Sequence, residues 1–233
     1  ALDFGNSAQS YAPFTLMYPD AGEIRLHAKY KLPNPTNGVD QYISGSSNAF
    51  VVSPFGFYMN FALNGANVTT NPAATSASGT KFKKAGELFQ TVITAVQWQN
   101  GDNASINNDL ANNLITPNFG NELTTPRDNV TLSHNLVLPS PSTGALGTLA
   151  NREFVDFVNG QADQEISWNE VGIISVAAAL NQGNYLGAST NISTTTASHV
   201  GRFYPDHFTL GNVVDGDIYS TCEANNTIKN YTY

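Results

Sequence analysis

Short apolar runs rich in β-branched and aromatic residues recur along the chain. They are Phe50-Val51-Val52, Thr91-Val92-Ile93-Thr94-Ala95-Val96, Val130-Thr131-Leu132, Phe154-Val155-Asp156-Phe157-Val158 and Ile173-Ile174-Ser175-Val176. Clusters of Gly, Pro, Asn and Ser separate them, and runs bounded in this way read as strands. A helical period is nearly absent: only Asn108–Leu114 supports a turn or two. The pattern predicts an all-β chain.

The same pattern repeats within the chain. Asp20-Ala21-Gly22-Glu23-Ile24-Arg25-Leu26-His27-Ala28 reads like Glu170-Val171-Gly172-Ile173-Ile174-Ser175-Val176-Ala177-Ala178, an offset of 170 − 20 = 150. Phe4, Ala12 and Tyr18 meet Phe154, Ala162 and Trp168 at that offset. Further on, Ser47, Pro54 and Phe57 meet Ser198, Pro205 and Phe208 at 198 − 47 = 151, which one inserted residue explains. Ordered agreement at several places points to duplication. It predicts tandem immunoglobulin-like β-sandwich modules: residues 1–53 as the C-terminal part of one, 54–204 as a complete one, and 205–233 as the start of another. Partial units at both ends lead us to expect a longer parent chain. The acidic-x-Gly step reads as a tight turn with Gly at positive φ. Tyr18 and Trp168, just before it, are expected to plug the sandwich end.

Composition narrows the function. Charged residues are 12% of the chain and hydrophobic ones 41%, against about 25% charged in an ordinary domain. The surface is therefore built from Asn, Thr, Ser, Gln and Gly, as in extracellular β-proteins. With 10 Lys and Arg and a net charge of −8, the chain offers no basic stripe for nucleic acid. The smoothest apolar stretch, Val171–Leu180, is shorter than the roughly 18 residues that span a bilayer. A single cysteine, Cys222, excludes a disulfide framework within this sequence.

Catalytic constellations are not recognisable, and we expect a non-enzymatic protein. His27, His134, His199 and His207 are dispersed, and no Gly-x-Ser-x-Gly elbow, Cys-x-x-Cys pair or His-Glu-x-x-His motif occurs. Glu165 and Glu170 would make a glycosidase pair, but at the repeat offset they meet Thr15 and Asp20. The loop Asn100–Asp109 concentrates hard oxygen ligands suited to Ca²⁺, with Asp102, Asn103, Asn107 and Asp109 as the candidate ligands. Asn and Asp also fill plain solvated turns, and the loop lacks the EF-hand glycine position and closing glutamate. Trp98, ending the Thr91–Val96 run, is expected in the core. Trp98 and Tyr185 are also the rings that would stack on sugars if the surface bound glycans.

Several motifs in order carry a resemblance. Thr116-Pro117-Asn118-Phe119-Gly120, Val130-Thr131-Leu132-Ser133-His134, Trp168-Asn169-Glu170-Val171-Gly172-Ile173-Ile174, Tyr185-Leu186-Gly187 and Val200-Gly201-Arg202-Phe203-Tyr204-Pro205-Asp206-His207-Phe208 resemble the C-terminal region of MshQ-type proteins. Those belong to the mannose-sensitive haemagglutinin (MSHA) type IV pilus system. Ser46–Phe57 is similar to an earlier segment of the same region. The resemblance implies an exported Gram-negative protein at the cell surface, with the periplasm as the alternative. It implies pilus or cell-surface proteins as partners and no catalytic residues. It also implies an Asp-rich stretch where Asp102–Asp109 lies, from which the Asn-heavy version here departs. Apart from the resemblance, incomplete units would leave sheet edges open to a strand from a neighbouring copy, so a self-assembling filament subunit joined by strand exchange is one alternative and a carbohydrate-binding surface module the other.

Overall fold

A computed structural model describes residues 12–33, 38–62, 70–102, 110–122, 129–188, 192 and 195–209. The chain is all-β, and apart from short 3-10 turns such as Leu110–Asn112 and Tyr185–Gly187 its regular structure is strand. The strands are β1 (Gly22–Ile24), β2 (His27–Lys31), β3 (Tyr42–Ser46), β4 (Phe50–Val52), β5 (Gly56–Ala62) and β6 (Phe89–Val96). They continue with β7 (Val130–Leu138), β8 (Leu149–Ala150), β9 (Glu153–Phe154), β10 (Gln161–Trp168), β11 (Gly172–Leu180) and β12 (Thr195–Phe203).

Two four-stranded antiparallel sheets, β5-β6-β10-β8 and β12-β11-β7-β9, make a sandwich. Of the six long strands, the first, second and fourth (β5, β6, β10) share one sheet with the short β8, and the third, fifth and sixth (β7, β11, β12) share the other with the short β9. That is the A-B-E-D and C-F-G order of immunoglobulin-like sandwiches. The core lies between the inward faces, where Phe57, Phe61, Phe89 and Ile93 meet Leu132, Ile174, Val176 and Phe203. Aromatic rings interlock at one end: Phe89 lies 5.2 Å from Phe82 and 5.5 Å from Phe203, and Trp168 sits edge-on to Phe203 at 5.1 Å. Trp168 is fully buried and its Nε1 donates to Leu146 O at 2.9 Å, satisfying the one polar atom of the ring. It closes the sandwich end as its position in the sequence implies.

Three elements differ from the sequence reading. The run Phe154–Val158 keeps only a two-residue strand, and Asp156 and Asn159 then adopt positive φ, bending the chain away. Pro54–Phe57 is not simply a turn, because Gly56 opens β5 and Phe57 is wholly buried. Trp98 is 47% exposed rather than core, since the chain leaves the sheet after Val96 and the ring hangs beyond it.

The chain before β5 forms a separate hairpin. β1 pairs with β4 and β2 with β3, both antiparallel. Its register repeats that of β11 and β12. Glu23↔Val51 and Ile24↔Phe50 correspond to Ile173↔Gly201 and Ile174↔Val200. His27↔Ser46 and Ala28↔Gly45 correspond to Ala177↔Thr196 and Ala178↔Thr195. In each pair both residues are displaced by 150. At the turn end, Gly22↔Val52 answers to Gly172↔Phe203, offsets of 150 and 151. The offset thus stays at 150 through Val51 and changes only opposite the glycine, so Ser47 answers in register to Ala197 and not, as the sequence match has it, to Ser198. Both glycines have the expected positive φ, 137° and 132°. Both preceding acids bond the next amide: Ala21 N donates to Asp20 Oδ1 at 2.8 Å, and Val171 N to Glu170 Oε1 at 2.9 Å.

Candidate functional site

Where the hairpin meets the sandwich, its root is fixed by specific bonds. Asp20 Oδ1 also accepts from Asn118 N at 3.0 Å, and Asn118 Nδ2 donates to Tyr18 OH at 3.3 Å. Ala21 is buried as part of the sandwich core, and Val51 packs against it. The receiving loop is the Thr116–Gly120 motif, tightened by Phe119 N donating to Thr116 O at 3.1 Å. Phe119 is buried edge-on between Phe57 and Phe157, at 5.4 and 4.9 Å. Gly120, at φ 89°, lets that loop run against the backbone of Phe157.

A cleft of about 510 Å³ opens at this junction, with Tyr18, Glu23, Asn118, Asn121 and Glu122 on its walls and Tyr185 at its base. Glu122 Oε1 accepts from Tyr185 OH at 2.8 Å and from Gly120 N at 3.0 Å. This carboxylate therefore joins the Thr116–Gly120 loop to the Tyr185–Gly187 turn. Sequence reasoning did not single out Glu122. The available signal was its place directly behind the Thr-Pro-Asn-Phe-Gly motif, with Tyr185 in a second motif of the same set. Tyr185 is fully buried, so its ring face cannot stack on a sugar, correcting that expectation. A smaller cleft of about 290 Å³ lies nearby and includes Met17, Phe55 and Trp98.

The remaining candidate residues are scattered. Asp102 Oδ2 accepts from Gln99 N at 2.7 Å and Asn113 Nδ2 at 2.6 Å, and its carbonyl takes the Trp98 Nε1 proton at 3.2 Å. One oxygen of that carboxylate is thus engaged in ordering its own loop. Asn103, Asn107 and Asp109 lie outside the described residues, as does Cys222. No cluster of three or more His, Cys, Asp or Glu placed to hold a metal occurs among the described residues. His27 Nδ1 contacts Ser46 Oγ at 2.7 Å, His134 Nε2 contacts Leu146 O at 3.3 Å, and His199 Nδ1 contacts Ser198 Oγ at 3.1 Å. His207 Nδ1 lies 3.1 Å from Asp206 Oδ2, while Lys84 Nζ takes the other oxygen at 2.5 Å. The Lys84 hydrogen bond and charge, with His207 behind them, hold the Asp206 carboxyl below the usual carboxylate range. Glu165 is exposed on β10 opposite Gln90, and Glu170 is used in its turn.

The hairpin itself is the more unusual surface. Tyr30 and Ile43 are each 60% exposed, and every residue of β2 and β3 is open to solvent. The counterparts of Ile24, Leu26, Ala28 and Tyr30 are Ile174, Val176, Ala178 and Leu180, all buried in the core. Among the described residues, the hairpin is a counterpart of an inward-facing element with no sheet packed on it like the one that faces its twin.

Fold and junction together define an all-β sandwich protein that carries a second copy of one of its own hairpins. The chain belongs to the DUF6701 family: residues 53–167 match the family's second domain and residues 170–233 its third. The boundary between the two falls in the β10–β11 turn, yet β11 of the third domain pairs from Ile173 to Leu180 with β7 of the second. Neither a curated protein nor a solved structure matches the chain. Among the described residues no helix is long and apolar enough to cross a membrane.

Proposed function

We propose that the chain is a non-enzymatic structural and interaction module of an exported bacterial surface protein, pilus-associated or adhesin-like in role. The observation that carries this reading is the duplicated hairpin, rooted by Asp20 and Ala21 in the sandwich and presenting exposed Tyr30 and Ile43. Contiguous exposed apolar positions on a rigid element mark contact surfaces. The surface chemistry agrees, with 12% charged residues and a net charge of −8. Its resemblance to MshQ-type proteins points to the MSHA pilus system as the setting. Modules of this kind act by stacking and by holding a partner, so geometry rather than a reactive group does the work.

The test is immunogold labelling of intact cells with an antibody raised against residues 54–204. Gold along filaments or at their tips is the expected outcome. Labelling seen only after the outer membrane is broken would instead place the chain in the periplasm and remove the adhesin reading.

A further inference from the structure

The twin hairpins differ in what lies beside them. On β11 the outer edge is taken by β7, through pairs that include Ile174↔Leu136, Ala178↔Leu132 and Leu180↔Val130. Among the described residues no strand pairs with the corresponding edge of β1–β2. Backbone directions there are set by two bonds: Ser47 N donates to Leu26 O at 2.9 Å, and Leu32 N to Gln41 O at 2.8 Å. The polar groups of Leu26, Ala28, Tyr30 and Leu32 therefore face β3. Those of His27, Lys29 and Lys31 alternate with them and face outward.

The glycines record the same difference. A methyl group added at Gly172 would overlap Leu138 O, the carbonyl at the end of β7. Gly22 has nearly the same φ, 137° against 132°, yet a methyl group there meets nothing within 4 Å. Among the described residues, nothing takes beside Gly22 the space that a β7 strand end fills beside Gly172. Edge strands are commonly guarded by lysines that point across the open side. Here Lys29 Nζ sits over the Tyr42 ring at 3.9 Å and Lys31 Nζ pairs with Asp40 at 2.7 Å, so both are drawn back onto the hairpin.

We propose that the outer edge of β1–β2 is a strand acceptor. Its occupant is an extended antiparallel segment of β7 type, supplied by another module of the second-domain kind. Copying the twin register sets an apolar residue of that segment beside each of Ile24, Ala28 and Tyr30, as Leu136, Leu132 and Val130 stand beside Ile174, Ala178 and Leu180. Main-chain hydrogen bonds supply the attachment and the alternating side chains select the register. This holds wherever in the cell the chain resides, and so does not depend on the surface location proposed above.

The test uses the full chain and a fluorescent peptide of residues 129–139, the β7 sequence. Anisotropy is expected to show saturable one-to-one binding, and amide exchange read residue by residue to show new protection at His27, Lys29 and Lys31. Lys29→Pro removes an outward amide proton without touching the bonds to β3, and is expected to weaken binding at least about tenfold, roughly the loss of one main-chain hydrogen bond. Lys29→Ala keeps that proton and is expected to bind like the parent, with unchanged far-UV dichroism in both variants. The idea is overturned by no saturation at about 1 mM peptide, by equal binding to Lys29→Pro, or by protection confined to the β7–β11 ladder.

Discussion

Gly22 and Gly172 have the same turn conformation and different surroundings, which makes them a natural pair for substitution. At Gly172 an alanine meets two penalties, positive φ and overlap with the Leu138 carbonyl. At Gly22 only the first applies. We expect Gly22→Ala to cost about 2 kcal/mol from its backbone conformation alone, and Gly172→Ala to cost at least about 1 kcal/mol more from the added overlap. Urea denaturation followed by tryptophan fluorescence compares the two directly, and equal losses would remove the distinction drawn between the sites. The requirement for glycine was legible in the chain, because an acidic residue followed two places later by Gly occurs at the same place in both copies. The Leu138 contact was not, since it joins residues 34 positions apart. Nor was the Glu122–Tyr185 bond legible, because it spans 63 positions and depends on two turns folding against each other.

At the scale of elements, β6, β7 and β11 could be read from their dense β-branched runs. β10 and β12 could not. In β10 the inward set is Ala162, Ile166 and Trp168, interrupted by the half-buried Gln164, with Asp163 and Glu165 outward. In β12 the fully buried residues are Val200, Gly201 and Phe203, so little apolar signal remains. What holds β12 instead is a polar clasp on its free edge. Asn71 Nδ2 donates to His199 O at 2.8 Å while Asn71 Oδ1 accepts from Gly201 N at 3.0 Å. The side-chain amide thereby stands in for a missing strand, and Ala74 N and Phe82 N continue the cover by donating to Gly201 O and Arg202 O. Asn71→Ala is expected to cost about 2 kcal/mol, because two backbone groups lose their partner. Faster amide exchange at Gly201, measured together with thermal melting, checks both the size and the place of the effect.

For the whole molecule, the family's two-domain division and the fold's cohesion do not coincide. Core residues on both sides of the 167–170 boundary belong to one cluster: Phe57, Leu132 and Ile166 pack in the same interior as Ile174 and Phe203. We therefore expect residues 56–203 to unfold as one cooperative unit. In amide exchange under rising denaturant, β7 and β11 amides should open at one common free energy. Separate openings for the two sequence-defined domains would show that they are independent. The duplication itself was visible in the sequence because its motifs are local. What the copies do was not, because that depends on which of them has a β7 at its side.

The long-range pairing of β7 with β11 also fixes an order in time. A chain delivered from its N-terminus, by a ribosome or a translocation channel, presents β7 well before residues 172–180 emerge. Until then the second sheet lacks β11, one of its two central strands, and Leu132 and Leu136 have neither β11 beside them nor a complete core above. At roughly 5–20 residues per second of synthesis, that interval lasts several seconds, long on the scale of hairpin formation. The sandwich is thus completed by its last two strands, and the chain spends that interval with the β11-facing edge of β7 uncovered.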